Sequence, residues 1–500
     1  MRILIFHGYL LRGTGSNVYN ASLAQALMRM GHEVHLLCQD RRADELDWVG
    51  DDPSGGSVTV HVPDIGGLLP VFVPDRYEGF EVKTFPELTD VELERYVNAN
   101  VAAVRGVVEA HGEPDAALAN HLIMGPLILA RAGLSFALKV HGSDLSYTIR
   151  PHPDRFVPYA REGADAAAGI LVGSSFTAEG LFDVVDGPGL RARTRLGPPG
   201  VDVHRFRPRP ESDAVAAVGR LAGGLEAEAP DESFGRDGPG GARALRDWIG
   251  GSPRAVYVGK LLVNKGVDLL AAAWPIVHRE AGPDARLLLA GFGAYRSGLE
   301  ELAAALGRGD LEGARAVAAE GRAYEGGDAA PLPILSSFLA DPPEGYAEAA
   351  RESADSILIS GRLEHDEVGE VMPAAQVLVM PSTFPEAFGM VAAEAAACGV
   401  PPLSAGHSGM REVSRQLGDA VGPELAPLLS FEVGPSAVTE IAERMVRLLG
   451  LPAGERDRAV GALSERVREL WSWEGVARGV IAASSGDLDA LPRVARTHGP

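Results

Sequence analysis

Two glutamates in one segment of the chain are suited to holding the hydroxyl groups of a ligand. Glu386 lies in a loop rich in proline, serine and threonine, and Glu394 lies eight positions later, in an alanine-rich stretch that predicts a helix beginning near Phe388. Amides at a helix start lack intrahelical partners and bind anions such as a diphosphate, and Gly389 lets a ligand approach the backbone closely. Ionised carboxylates on either side accept short hydrogen bonds from sugar and ribose hydroxyls. The alternative is an acidic helix start that serves stability alone.

Two lysines lie five residues apart in a second segment. Lys260 and Lys265 are flanked by Gly259 and Gly266, and the segment leads from a predicted strand into a predicted helix. The whole chain contains only four lysines, so a chance pair of solvated lysines is an unattractive interpretation. Two cations on such a turn suit a diphosphate, whose negative charge grows as the bond to a sugar breaks.

Histidines follow two predicted strands in the first half of the chain. His141 is followed by glycine, Ser143 and Asp144. Its imidazole suits donation to a sugar hydroxyl or stabilisation of charge near a reacting carbon, although an isolated histidine is more often structural. His121 is a second candidate. We predict His121, Ser143 and Asp144 on the side of the site that binds an acceptor.

A glycine-rich loop, Gly13–Ser16, follows the predicted first strand Arg2–Phe6. Such a loop brings backbone amides towards phosphates or an acceptor, and a tight structural turn explains it equally well. Its spacing differs from that of the dinucleotide-binding loops of dehydrogenases, which counts against a dehydrogenase.

The segment Pro381–Gly399 resembles the signature of family-4 glycosyltransferases, which share the two-domain GT-B fold. Other segments agree with that family in the same order along the chain. They are Gly13–Ser16, the His141 segment, Gly197–Asp202, the Lys260–Lys265 segment, Gly361–Leu363 and Ser472–Glu474.

This resemblance implies roles for the residues above. Glu386 would contact the donor sugar, Glu394 the ribose of the nucleotide, and His141 would face the reacting sugar. With His141 and Glu386, we assign Lys260 and Lys265 to catalysis; family members usually carry arginine at the first lysine position, and lysine keeps the charge without the bidentate geometry. The other predicted donor-binding residues are Gly15, Gly259, Arg362, Leu363, Phe388, Gly389, Met390 and Val391.

The implied reaction is transfer of a sugar from a nucleotide-diphosphate sugar to a hydroxyl with retention of anomeric configuration. The resemblance implies neither a cofactor nor a metal, because cations and a helix start would take the place of the metal. Two alternatives remain: a sugar-nucleotide epimerase of the same architecture, and a non-catalytic sugar-nucleotide-binding protein. No set of histidines, cysteines and acids has metal-ligand spacing in the sequence.

Short apolar strands alternate with helical patterns along the chain, which predicts an α/β protein. With the resemblance, this indicates two Rossmann-like, doubly wound parallel-sheet domains facing a central cleft. The predicted N-terminal domain, on the acceptor side, spans 1–207 and is completed by a C-terminal helix over 474–500. A linker or irregular insertion is expected at 208–251. The donor-side domain spans 252–473 and carries a helical insertion at about 295–354.

Composition excludes several classes of protein. The formal charge of −22 and the lack of a long basic stripe argue against nucleic acid as a partner. No apolar segment approaches the roughly 20 residues of a membrane-spanning helix, and the first residues do not form a signal peptide. Two isolated cysteines, Cys38 and Cys398, offer no disulfide framework, so we expect a cytoplasmic protein. No basic amphipathic surface is evident, which favours a small or glycan acceptor over a lipid.

Overall fold

The computed structural model describes residues 1–12, 15–72, 79–187, 189–228 and 236–495. The chain divides into two units. Unit 1 comprises Met1–Gly200 together with Trp471–Pro500, and unit 2 comprises Val201–Leu470.

Unit 1 is built on a predominantly parallel sheet. Its described strands are β1 (Arg2–Phe6), β2 (Glu33–Leu37), β3 (Gly50–Asp51), β4 (Ser57–His61), β5 (Leu68–Val71), β6 (Glu81–Thr84), β7 (Ala116–Asn120), β8 (Ala137–Val140), β9 (Gly169–Val172) and β10 (Thr194–Leu196). The main sheet has the order β10-β9-β8-β7-β1-β2-β4-β3, and β5 pairs with β6 separately. Neighbouring strands run parallel except at the short edge strand β3.

The central strands of this sheet are buried on both faces. Ile3, Leu4, Ile5 and Phe6 of β1 are each at most 2% exposed. A strand covered by helices on both faces reads as an uninterrupted apolar run, which is why β1 was recognisable in the sequence. The helices described between these strands are α1 (Ser16–Arg29), α2 (Asp90–His111), α3 (Gly125–Ala132), α4 (Pro153–Ala166), α5 (Ser175–Val184) and α6 (Leu190–Arg193).

Unit 2 contains a second parallel sheet. Its described strands are β11 (Arg254–Val258), β12 (Arg286–Ala290), β13 (Ile357–Gly361), β14 (Val377–Met380), β15 (Pro402–Ala405) and β16 (Ser430–Phe431). The order is β13-β12-β11-β14-β15-β16, so β11 and β14 are neighbours although more than a hundred residues separate them. The parallel arrangement brings the carboxyl ends of all these strands to one edge, where ligands bind in open α/β sheets.

Helices surround this second sheet. They are α7 (Glu211–Glu226), α8 (Gly238–Ile249), α9 (Val267–Ala281), α10 (Arg296–Gly307), α11 (Leu311–Glu320), α12 (Pro333–Ala340), α13 (Tyr346–Glu352), α14 (His365–Val371), α15 (Met390–Ala397), α16 (Ser408–Val421), α17 (Ala437–Leu449) and α18 (Ala453–Trp471). The stretch where a helical insertion is predicted, about 295–354, contains α10 to α13. Among the described residues, no helix combines the length and the hydropathy needed to cross a membrane.

The prediction of an irregular linker over 208–251 is wrong in its local structure. Helices α7 and α8 occupy most of the described part of that segment, and residues 229–235 lie outside it. Asp237 caps α8 by accepting from the amide of Gly240 at 2.9 Å. Trp248 is fully buried, and its indole N–H donates to the carbonyl of Ala255 at 3.0 Å. The glycine and proline that suggested irregular structure stand in the first turn of α8, where both residues are tolerated.

The last helix, α19 (Trp473–Ser484), belongs to unit 1. Trp473 is 4% exposed, and its ring centroid lies 5.3 Å from that of Tyr19 on α1. A Cβ on Gly200 would stand 2.5 Å from the Trp473 ring, so only glycine fits beneath the indole. The helix is shorter than the predicted 474–500: it ends at Ser484, and residues 496–500 lie outside the described residues.

The packing of this helix yields a stability prediction. Trp473→Ala removes a large buried ring and leaves a cavity, so we expect a loss of about 3–5 kcal/mol in the free energy of unfolding. Arg478→Ala on the same helix changes an exposed side chain and should alter that free energy by less than about 0.5 kcal/mol. Urea unfolding followed by circular dichroism measures both values. Equal effects of the two substitutions would contradict the packing described here.

Candidate functional site

The loop after β14 and the start of α15 form the centre of the candidate site in unit 2. The helix begins at Met390, two residues later than predicted. Gly389 precedes it in the left-handed region with a φ of 117°, a conformation that favours glycine, and no side chain caps the helix. The amides of Met390 and Val391, at the first positions of the helix, have no intrahelical acceptor and are suited to an anion.

Lys265 and Glu386 form an ion pair between Nζ and Oε1. The same carboxylate oxygen accepts from the hydroxyl of Ser382 at 2.9 Å, and the backbone amide of Glu386 donates to Ser408 Oγ at 3.0 Å. The Lys265 and Glu386 side chains are 31% and 22% exposed, so both remain accessible to a ligand. The structure thus brings together two segments with different predicted contacts to the donor. The lysine segment is predicted to contact the diphosphate, and Glu386 is predicted to contact the sugar.

Gly266 explains how these segments meet. Its φ is 66°, and a Cβ at this position would lie 2.0 Å from the carbonyl oxygen of Pro381. A side chain would therefore push the loop after β11 away from the loop after β14. The amide of Thr383 also donates to the carbonyl of Asn264 at 2.9 Å, which fixes the two loops together.

Lys260 lies after β11 with its side chain exposed. Its backbone is fixed, because the hydroxyl of Tyr257 donates to the Lys260 carbonyl at 2.7 Å and the amide of Leu261 donates to the carbonyl of Phe292 at 2.7 Å. Gly259 precedes it, partly exposed at the end of the strand. The structure therefore holds the start of this side chain at the strand edge, and the residue is exposed to solvent.

Glu394 is 4% exposed and hydrogen-bonds to a histidine that the sequence did not indicate. His365, the first residue of α14, places Nε2 2.8 Å from Glu394 Oε1. Burial lowers the pKa of His365, but the hydrogen bond and the charge of Glu394 outweigh burial and raise that pKa above its usual value. One carboxylate oxygen of Glu394 is thus engaged by His365, and its orientation is fixed.

Arg362 and Leu363 directly follow β13, both partly exposed. The Arg362 guanidinium lies 2.8 Å from Glu364 and 5.9 Å from the ring centroid of Phe292, which follows β12. Phe292 is a further partly exposed aromatic residue at this edge that sequence reasoning missed, because no local pattern marks it. Phe388 is 7% exposed, so its ring packs inside the unit.

Unit 1 contains a group of aromatic and imidazole rings around His141. His141 Nε2 lies 2.9 Å from Asn120 Oδ1, and its ring centroid lies 4.8 Å from that of His121 and 5.1 Å from that of Tyr19. Burial lowers the pKa of His121 to about 3 and lowers that of His141 well below its usual value. Both imidazoles are neutral at neutral pH, so hydrogen bonding is favoured over charge stabilisation for His141.

His121 has two unusual features. Its φ is 65°, which is rare for a residue with a side chain, and it is only 3% exposed. Both of its ring nitrogens are buried without a hydrogen-bond partner among the described residues. A strained backbone together with unsatisfied buried polar atoms points to function. The structure therefore gives His121 more weight than the sequence did.

Asp144 is fully buried. Its carboxylate accepts from the amides of Leu122, of Gly142 at 3.1 Å and of Leu145 at 2.9 Å. These contacts tie the segment after His121 to the turn after His141, so Asp144 is better assigned to positioning these loops than to contact with an acceptor. Ser143, in contrast, is partly exposed.

Two further residues complete the description of unit 1. Lys139 is 2% exposed, and its ammonium donates to the carbonyl of Gly197 at 2.5 Å; burial lowers its pKa to about 7. Gly15 is exposed, has a φ of 63° and precedes α1. Gly13 and Thr14 of the predicted glycine-rich loop lie outside the described residues.

Two family models match the chain. The model described as glycosyl transferase 4-like domain matches residues 14–191, and the model described as glycosyl transferases group 1 matches residues 346–422. The D-inositol 3-phosphate glycosyltransferases of Mycobacterium tuberculosis and Mycobacterium bovis are 30% identical over 165 residues. That match covers 31% of this chain and 32% of the relatives, so it spans about a third of their length.

Solved structures resemble the chain over nearly its whole length. Sucrose-phosphate synthase from Thermosynechococcus elongatus has a TM-score of 0.57 at 19% identity, with 98% of this chain and 99% of that chain covered. Anabaena HepE in complex with UDP and glucose has a TM-score of 0.56 at 14% identity, covering 97% and 99%. The catalytic domain of Arabidopsis thaliana starch synthase IV bound to ADP and acarbose has a TM-score of 0.54 at 15% identity, covering 97% and 98%. These likenesses confirm the predicted GT-B fold.

The His365–Glu394 pair yields a prediction on pH dependence. The pKa of His365 in the folded state lies above the value of 6.5 for an unfolded histidine. The pair therefore contributes its full stabilisation to the folded state at pH values below 6.5. This contribution is lost as the pH rises through the folded-state pKa. We expect His365→Gln to lower the free energy of unfolding by about 0.5 kcal/mol more at pH 5.5 than at pH 9, a small value because solvent screens the pair. Urea titrations at the two pH values measure this difference.

The matched control is His204→Gln, which changes an exposed histidine. It should leave the free energy of unfolding nearly unchanged at both pH values. A His365→Gln effect that is constant between pH 5.5 and pH 9 would contradict the assignment.

Proposed function

Because the chain belongs to the glycosyltransferases of the GT-B fold, we propose that it transfers a sugar from a nucleotide-diphosphate sugar to a hydroxyl group with retention of anomeric configuration. The observation that supports this best is the Lys265–Glu386 pair beside the uncapped start of α15. A cation, a carboxylate and free helix amides lie together at the carboxyl edge of the sheet in unit 2. This combination matches a ligand that has both phosphates and sugar hydroxyls.

The donor would bind to unit 2. In this proposal the first amides of α15, with Lys265 and Lys260, hold the diphosphate, and no metal is required for that role. The carboxylate of Glu394, oriented by His365, accepts hydrogen bonds from the ribose. Arg362 and the segment around it contact the nucleobase. Because HepE contains UDP and glucose and starch synthase IV contains ADP, uridine and adenosine diphosphate sugars are the first donors to test.

The proposed reaction takes place on one face of the donor sugar. The bond between the anomeric carbon and the diphosphate oxygen breaks, and Lys265 and the helix amides stabilise the charge on the departing group. The acceptor oxygen forms its bond to the anomeric carbon on the same face, and its proton passes to the departing phosphate oxygen. Glu386 is held by Lys265 and Ser382, an arrangement that suits a holder of hydroxyls better than a covalent nucleophile.

We assign the acceptor to unit 1. His121 supplies two unsatisfied ring nitrogens, and His141 is a neutral imidazole beside it. Neutral imidazoles among aromatic rings suit a polyol or sugar hydroxyl. The relatives named as D-inositol 3-phosphate glycosyltransferases make a phosphorylated polyol one acceptor to test, alongside unmodified sugars.

Substitution of Glu386 tests the site. We expect Glu386→Ala to lower kcat by about 100-fold or more, a typical cost of losing a preorganised polar contact to the transition state. Its thermal midpoint should stay nearly unchanged, because partly exposed ion pairs contribute little stability. Glu424→Ala, at an exposed glutamate of the same unit, is the control and should retain full turnover. Unchanged turnover of Glu386→Ala would refute the assignment.

Donor and acceptor screening tests the reaction class. A donor at a hundredfold excess over its dissociation constant stabilises the protein by about 2.7 kcal/mol, so thermal shifts identify it. We expect the best donor to be consumed with an acceptor and the product to retain the donor's anomeric configuration by NMR. A changed sugar nucleotide formed from donor alone would indicate an epimerase, and donor binding without turnover across all acceptors would indicate a binding protein.

A further inference from the structure

Three histidines of unit 1 meet on elements other than those that carry His121 and His141. They are His35 on β2, His61 at the end of β4 and His111 at the end of α2. One ring nitrogen from each lies within 4.8 Å of the others. The shortest separation, 3.0 Å, joins His35 Nδ1 and His61 Nε2, and the His35 and His111 ring centroids lie 4.4 Å apart.

The fold brings these residues together from distant parts of the chain. In the parallel pairing of β2 with β4, His35 aligns with Thr59 and Leu37 aligns with His61. Because side chains alternate along a strand, His35 and His61 are diagonal neighbours on one face of the sheet. Helix α2 packs over that face and ends at His111. The sequence-based expectation of no metal-ligand set is therefore incomplete, since it considered only local spacing.

We propose that His35, His61 and His111 bind a first-row transition-metal ion, with Zn²⁺ as the expected occupant. Zinc binds imidazole nitrogens at about 2.0–2.1 Å, so two nitrogens on a tetrahedral ion stand roughly 3.3 Å apart. The nitrogens of His35 and His61 are already close to that separation. His111 is exposed at a helix end, so rotation of its side chain can complete a three-histidine site whose fourth position is open to water.

The hydrogen bonds of His35 prepare it for this role. Its Nε2 donates to Glu33 Oε1 at 3.1 Å, and Glu33 in turn lies 3.3 Å from Arg2 Nε. A carboxylate can only accept, so the proton of His35 stays on Nε2 and Nδ1 keeps its lone pair towards His61. Ligating histidines commonly carry this kind of carboxylate partner, which fixes the tautomer and orients the ring. A metal ion would take the place of the hydrogen-bonding proton between His35 Nδ1 and His61 Nε2.

The position of the site indicates a structural role. It links β2 and β4, near the edge of the sheet, to the carboxyl end of α2, which leads into β7. His35 is 2% exposed, so the ion would be anchored inside the unit on one side and reach solvent through His111 on the other. An ion that binds only the folded state stabilises it by mass action. The proposal is independent of the proposed sugar transfer.

Metal titration of the full chain, prepared without an affinity tag and freed of metal by a chelator, tests the proposal. We expect one equivalent of Zn²⁺ to bind in competition with a chromophoric chelator and to raise the thermal midpoint. Co²⁺ should give the intense visible absorption of a four-coordinate site. Glu33→Gln should weaken Zn²⁺ binding 10- to 100-fold through its effect on His35, as for other second-sphere carboxylates.

Variants of His111 distinguish Zn²⁺ binding at this site from Zn²⁺ binding by other histidines of the chain. Because His111 is exposed, His111→Ala should fold normally, bind Zn²⁺ at least about 10-fold more weakly and lose the Zn²⁺-dependent rise in thermal midpoint. His111→Cys should restore binding and add a sulfur-to-cobalt charge-transfer band, since thiolate is also a zinc ligand. His204→Ala, at another exposed histidine, should bind like the parent chain. Failure of the parent chain to bind one equivalent, or equal binding by His111→Ala, would overturn the proposal.

Discussion

The candidate donor site depends on one close contact between two loops. Gly266 allows the loop after β11 to lie against the carbonyl of Pro381 in the loop after β14, at a distance that excludes any side chain. This contact is possible because β11 and β14 are adjacent parallel strands whose carboxyl ends share an edge. As a result, Lys265 reaches Glu386, and both lie beside the start of α15. The ammonium group of Lys265, the carboxylate of Glu386 and the first amides of α15 are thus positioned by backbone packing before a ligand binds.

Burial determines the chemistry in unit 1 in a different way. The low pKa values of His121 and His141 follow from desolvation, so these imidazoles are neutral, and Asp144 is buried with its oxygens satisfied by backbone amides. These two histidines therefore present neutral hydrogen-bonding groups, whereas the site in unit 2 presents charged ones. This difference agrees with an uncharged hydroxyl for the acceptor and a phosphorylated donor.

Sequence reasoning predicted some elements accurately and missed others for physical reasons. Strand β1 matches its predicted bounds, Arg2–Phe6, because the residues after Arg2 form an uninterrupted buried apolar run. The short strand β10 has no such run, because Thr194–Leu196 contains Arg195, which is buried and donates to backbone carbonyls such as that of Leu488. Helices α7 and α8 were missed because glycine, proline and acids suggested a linker, whereas tertiary packing of residues such as Trp248 overrides weak local propensity.

The sequence by itself determined the alternation of strands and helices, the order of the motifs and the resemblance to family-4 glycosyltransferases. Those features are local, since periodicity, helix ends and short signatures each depend on residues that are close together in the sequence. Only the tertiary structure decided which side chains meet: Lys265 with Glu386, His365 with Glu394, and His35 with His61 and His111. Each set joins elements far apart in the chain, and its members become neighbours through strand order and helix packing, which no local pattern encodes.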